Sequence, residues 1–165
     1  MRFIFDLDGT VIDSSHRQNT KPDGSLDLDR WREMSTRKMI FKDSLLPLAS
    51  AWHSIDREKN SIVVCTARVL SRDDLDFLQS HRLFADAILS RPYKDCSSDG
   101  VLKHRLLSAY CAELGLKWRQ FCNFSLMYDD NLNVINHLKP LGLRVIDATI
   151  QNMYLQTSTA KRLSK

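Results

Sequence analysis

Arg2-Phe3-Ile4-Phe5-Asp6-Leu7-Asp8-Gly9-Thr10 is four residues of strand character running into two acids, a glycine and a hydroxyl. Such a run suits a strand buried on both faces of a parallel sheet. The polar residues after it fall where such a sheet presents ligands, at the carboxyl ends of its strands. Four more short runs have the same character: Ser61–Cys65, Ala87–Leu89, Ser125–Tyr128 and Leu143–Ile146. Segments of helical period separate them. Lys42–Arg57 carries Leu45, Leu46, Leu48, Ala49 and Trp52 on one side. Arg72–Arg82 follows Ser71 as N-cap, with Asp73 and Asp74 in its first turn; Val101–Leu114 stops at Gly115, and Asn131–Lys139 at Pro140 and Gly142. Strands alternating with helices predict an α/β fold, a doubly wound parallel five-stranded sheet of Rossmann-like type.

With 165 residues, 43% apolar and 27% charged, the chain can bury a core without disulfides and is not disordered. One domain is predicted over residues 1–148, with a tail over 149–165 that lacks a strong period and reads as a frayed terminus or a docking arm. Residues 13–37 are polar and turn-rich, clearest at Lys21-Pro22-Asp23-Gly24, and long for a βα connection; they are expected to form a flap or minimal cap. Twenty-four Lys and Arg against 20 Asp and Glu give a charge of +4, too small to mark a nucleic-acid binder but suited to an anionic substrate. No apolar run is long enough for a membrane span, and Asp6 falls where a signal peptide needs its apolar stretch, so a cytoplasmic protein is expected. Cys65, Cys96, Cys111 and Cys122 form no metal-type pair and read as reduced thiols, mostly in apolar segments.

The chemistry gathers at the strand ends. Asp6, Asp8, Gly9 and Thr10 follow the first strand; Thr66, Ala67 and Arg68 the second; Arg91 and Lys94 the third; Asp129 and Asp130 the fourth. Carboxylates crowded on one edge repel one another unless a cation sits among them, and an all-oxygen set favours a hard ion, Mg²⁺ first. Each residue also has a plainer reading: Thr66 as a strand cap, Lys103 as a helix-surface lysine with Lys94 its rival, Asp129-Asp130 as N-cap residues. The five histidines read as non-catalytic. Trp31, Trp52 and Trp118 read as core or lid contacts, Trp31 being the best exception because it lies in the flap.

In this order the residues resemble the haloacid-dehalogenase superfamily of phosphohydrolases. Its Asp-x-Asp-Gly-Thr motif is matched at Asp6–Thr10, its strand ending in Thr or Ser at Val63-Val64-Cys65-Thr66, its helix-start lysine at Lys103 and its acidic pair at Asp129-Asp130. The resemblance implies that Asp6 attacks phosphorus to give an aspartyl-phosphate and that Asp8 acts as acid and then base. Thr66 would bind a phosphate oxygen, and Lys103 would neutralise the phosphoryl group and restrain Asp6. Gly9 would let the chain turn away sharply after the strand. Mg²⁺ would be held by the Asp6 carboxylate, the Asp8 carbonyl and Asp130, with Asp129 in support. An acid at position 8 favours a phosphatase over a dehalogenase.

The second half is similar to the phosphatase domain of polynucleotide kinase phosphatases and to small phage-type stand-alone relatives, through Ser90–Asp95, Ser98–Lys103 and Tyr128–Ile135. It departs from them at Asn131, where Arg is usual, and at Cys96-Ser97, where Gly-Asp-x-Arg is common. The expectation is a Mg²⁺-dependent phosphomonoesterase for a nucleotide or a polynucleotide 3′ end, with Gly9, Thr10, Ala67, Arg68, Arg91 and Lys94 on the substrate side. The alternatives are a small-metabolite or free-nucleotide phosphatase, and an inert phosphate-binding protein.

Overall fold

A computed structural model describes residues 1–18 and 27–163. Its centre is a parallel sheet of five strands: β1 (Arg2–Phe5), β4 (Ser61–Thr66), β5 (Ala87–Ser90), β6 (Ser125–Asp129) and β7 (Arg144–Asp147), in the order β5-β4-β1-β6-β7. Strand β1 is central, with Ile4 level with Val63 on one side and Met127 on the other. The chain runs outward through β4 and β5, then crosses back to β6 and β7. The order therefore reverses beside β1, and a crevice at that switch point is where doubly wound sheets bind ligands.

Alternation along the strands divides the core in two. Phe5, Ile62 and Val64 face one layer with Trp52, Phe77 and Leu78, while Ile4, Val63, Cys65 and Met127 face the other with Leu107, Phe121 and Val134. The first layer is covered by α3 (Leu48–His53), α4 (Arg72–Ser80) and α8 (Ala148–Leu163), the second by α5 (Asp99–Glu113), α6 (Trp118–Asn123) and α7 (Leu132–Leu138). Ser71 caps α4 through a reciprocal pair of bonds with Asp74, as predicted. Gly115 sits past the end of α5 at φ 67°, with Leu116 N–H donating to the Cys111 carbonyl.

Two expectations need correction. The helix predicted over Lys42–Arg57 is only α3, because Pro47 has no N–H to donate and biases Leu46 to extended backbone. Before it, β3 (Ser44–Leu45) pairs antiparallel with β2 (Ile12–Asp13). That pairing closes the base of the excursion, which thus runs on to Asp43 and carries α1 (Leu28–Met34) and α2 (Arg37–Ile40) rather than turns alone. The turn predicted at Lys21–Gly24 lies outside the described residues. The tail is helical rather than frayed. Its inward stripe is Ala148, Asn152 and half-buried Leu155, too polar to give a hydrophobic period. Asn152 is buried; its Oδ1 accepts from Leu48 N–H at 2.8 Å and its Nδ2 donates to the Thr10 carbonyl at 3.0 Å. Among the described residues no helix is long and apolar enough to cross a membrane.

Candidate active site

Strands β1 and β6 end side by side, so Asp6 and the Asp129-Asp130 pair meet at the rim. Carboxylate oxygens of the three lie within 4.8 Å of one another. Lys103, in the second turn of α5, reaches in beneath them. Its Nζ is 2.9 Å from Asp6 Oδ1 and 2.7 Å from Asp129 Oδ2, and it is 1% exposed. A lysine so enclosed is no surface residue, and its rival Lys94 is exposed on the β5 loop.

Three ionised carboxylates against one ammonium leave two negative charges where Asp6 and Asp129 are buried and Asp130 is half-buried. Burial drives all three acids upward. Asp129 is pushed to about 7 against the opposing pull of Lys103, Asp130 to about 6 with Asp6 adding repulsion, and Asp6 rises despite Lys103. Burial alone would lower Lys103, yet Asp6 and Asp129 outweigh it and raise the lysine. The deficit matches one divalent cation, and the donors are oxygen only: burial pushes the nearby Cys65 thiol up, so it stays protonated.

Gly9 has a second duty that its place in the motif did not disclose. At φ 69° it occupies left-handed backbone, and a Cβ there would lie 2.2 Å from Asp130 Oδ2. The missing side chain is the space the Asp130 carboxylate uses.

Asp8 lies on the other side of the turn, about one-fifth exposed. Ser14 Oγ donates to its Oδ1 at 2.5 Å, Arg68 Nε donates to its Oδ2 at 2.9 Å, and Arg68 Nη2 contacts Oδ1. Arg68 Nη1 bonds Asp74 at 2.5 Å, and these acids raise the buried guanidinium further against desolvation. Behind it Arg17 and Asp43 form a fully buried bidentate pair at 2.8 and 2.5 Å, and His16 Nε2 is 2.8 Å from Asp43. The Trp31 ring lies over both guanidinium groups, 4.5 Å from that of Arg17 and 5.2 Å from that of Arg68. This ionic chain from the flap to Asp8 has no sequence signal, because Arg17, Asp43, Arg68 and Asp74 follow no spacing rule.

Two of the cations expected on the substrate side hold protein partners in the structure. Arg68 is committed to Asp8 and Asp74. Arg91 spends every guanidinium nitrogen on the protein: on the Ala67 carbonyl at 2.7 Å, the Asp95 and Ser97 carbonyls at 3.0 and 2.9 Å, and Asp99 at 2.6 Å. Thr10, also expected on that side, is fully buried with an unpartnered hydroxyl. Thr66 is buried at the β4 end, where its Oγ1 accepts from Arg68 N–H at 3.2 Å and keeps its hydrogen for another acceptor. Asn131 caps α7 by accepting from Asn133 N–H and holds Asp99 at 3.0 Å.

The family described as Bacteriophage T5 5′-deoxynucleotidase matches residues 1–165. The 5′-deoxynucleotidase of Escherichia phage T5 is 28% identical in an alignment 165 positions long that covers 90% of this chain and 67% of the phage protein. Among solved structures, a haloacid dehalogenase-like hydrolase from Streptococcus pneumoniae superposes with a TM-score of 0.63 at 12% identity, covering 92% of this chain and 90% of its own. A chain of the Pnkp1/Rnl/Hen1 RNA repair complex gives 0.59 at 18% identity, over 88% of this chain and 41% of that one. The present chain thus spans less than half of the RNA-repair chain it matches. The structural likenesses confirm the haloacid-dehalogenase-like fold read from the motifs.

Proposed function

We propose that this chain, which belongs to the bacteriophage T5 5′-deoxynucleotidase family, hydrolyses the phosphomonoester of a free deoxynucleoside 5′-monophosphate with Mg²⁺, through an aspartyl-phosphate on Asp6. The observation that carries the reading is the buried Asp6–Lys103–Asp129 contact with Asp130 beside it, at the switch point of the sheet. Family membership supports the nucleotide. The likeness to the RNA-repair chain is one of fold alone, so a polynucleotide 3′ end, a sugar phosphate and a merely bound phosphate are what the substrate test sets against it.

The oxygen-only donors and two-charge deficit fit a small divalent ion, which the Asp6 carboxylate, the Asp8 carbonyl and Asp130 would hold with Asp129 in support. When bound, it neutralises charge on the phosphoryl oxygens. The chain's own residues do the rest. An Asp6 oxygen attacks phosphorus while Asp8 gives a proton to the departing 5′ oxygen; Asp8 then takes a proton from the water that attacks the phosphoenzyme, freeing phosphate and Asp6. Lys103 holds Asp6 in line, and the Thr66 hydroxyl donates to a phosphoryl oxygen. Ser14 and Arg68 fix the orientation of the Asp8 carboxylate. The flap between β2 and β3 serves as a small cap, leaving the rim open to substrate.

A panel of substrates tests this. Deoxynucleoside 5′-monophosphates should give a higher kcat/KM than 3′-phosphorylated oligonucleotides, and chelation should stop turnover. Preference for the oligonucleotide would move the substrate to a polynucleotide end; a folded chain inert on every phosphoester would make it a binding protein.

Acidity gives a second test. The raised carboxyls bind more protons in the folded chain than in the unfolded one, so stability is fullest below about pH 4 on their account and falls as pH rises through about 6 to 7. Chelated protein should lose melting temperature from about pH 5 to about pH 8, and added Mg²⁺ should raise it more at the higher pH. A Mg²⁺ increment independent of pH in calorimetry would remove these acids from the metal site.

A further inference from the structure

The loop after β5 carries the most exposed of the large hydrophobic side chains, Tyr93, 80% exposed. The next residue, Lys94, is held in left-handed backbone at φ 66°, which costs a side-chain-bearing residue energy and persists only where surroundings enforce it. The enforcement is visible. Arg91 N–H donates to the Arg68 carbonyl at 3.1 Å, and the Arg91 guanidinium is bonded to Ala67, to Asp95 and Ser97 within the loop, and to Asp99 at the start of α5. Arg105 also contacts Asp95, and Asp99 is tied on to Asn131 beside the acidic pair. The loop is therefore fastened at once to the Thr66–Arg68 turn and to the turn after β6. Lys94 Nζ lies over the Tyr93 ring, 5.6 Å from its centroid, and no carboxylate partner for Lys94 is found among the described residues.

A rigid mount holding an aromatic ring out in water needs a reason, since the ring buries little and the backbone beneath it is strained. We infer that Tyr93 is the platform on which the substrate's nucleobase stacks; this rests on the nucleotide reading above. Strand β5 is two places from β1 in the sheet, about 10 Å at normal strand spacing. That span is comparable with the length of a nucleoside 5′-monophosphate whose phosphorus sits at Asp6. Stacking uses a π-face that every base has, so the platform selects nucleotides over sugar phosphates without choosing among bases.

The test compares full-length wild type with Tyr93→Ser and Tyr93→Trp, with Mg²⁺, on the deoxynucleoside 5′-monophosphates and on deoxyribose 5-phosphate, which lacks a base. Tyr93→Ser should raise KM for the nucleotides about tenfold or more, with a much smaller effect on kcat and on the base-free ester, and Tyr93→Trp should restore nucleotide KM. An exposed side chain leaves the fold intact, so the loss cannot be a folding defect; matching melting temperatures check this. Unchanged nucleotide KM in Tyr93→Ser, or an equal loss on both substrate types, overturns the platform alone. A wild type that cleaves deoxyribose 5-phosphate but no nucleotide overturns the nucleotide reading and the platform with it.

Discussion

Asp6→Asn is expected to release phosphate at about one-thousandth of the wild-type rate or less, whatever the substrate, because an amide oxygen does not replace a carboxylate as nucleophile. Folding should not suffer. Asp6 is an acid that burial and Asp8 already push upward, and Asp129 remains to partner Lys103 when the Asp6 charge is gone. The chelated variant should therefore melt no lower than the chelated wild type near neutral pH. Phosphate release and calorimetry on the same samples separate chemistry from stability. Turnover within about tenfold of wild type would end the covalent mechanism.

Gly9→Ala should be nearly as damaging for a different reason. Left-handed backbone costs a residue with a Cβ about 1–2 kcal/mol, but the larger effect is the new carbon 2.2 Å from Asp130 Oδ2 and 2.7 Å from its Cγ. One of the two must move, and displacement on that scale at a reacting centre costs about 100-fold in rate. Gly115 supplies the matched control: its φ is 67°, and nothing lies within 4 Å of where its Cβ would be. Gly115→Ala should lose stability of similar size while keeping its activity and Mg²⁺ requirement. Gly9→Ala should lose activity and need more Mg²⁺. If the two variants behave alike in kinetics, the close approach to Asp130 has no catalytic meaning.

The parts of the site that sequence disclosed are those delivered by strand ends. Asp6, Thr66 and Asp129 each close a short apolar run, so locating the run locates the acid or hydroxyl. Lys103 is less legible, because a helix of mixed composition does not announce which lysine turns inward; in the structure it lies between Asp6 and Asp129, whereas Lys94 is exposed. Arg68 and Arg91 are legible as charges near the strand ends, but their partners are not. Both lie at the rim, but their nitrogens are spent on neighbouring carbonyls and carboxylates, a fact of three-dimensional bookkeeping that no spacing reveals. The helix over Lys42–Arg57 was overextended because its apolar side drew attention from Pro47. For the tail the sequence leaves a frayed terminus and a docking arm both open: α8 docks through the amide of Asn152, and hydrophobic periodicity does not see a polar anchor.

That amide has a consequence for how the protein is made. Strand β1 emerges from the ribosome before either of its partners, yet it gains its second neighbour only with β6, and the turn behind Asp6 gains its bond from Asn152 only with α8. A nascent chain thus exposes half-paired apolar β1 until β6 has emerged, an aggregation-prone interval typical of high contact order. The loop after β1 is sealed only when the Asn152 amide has docked.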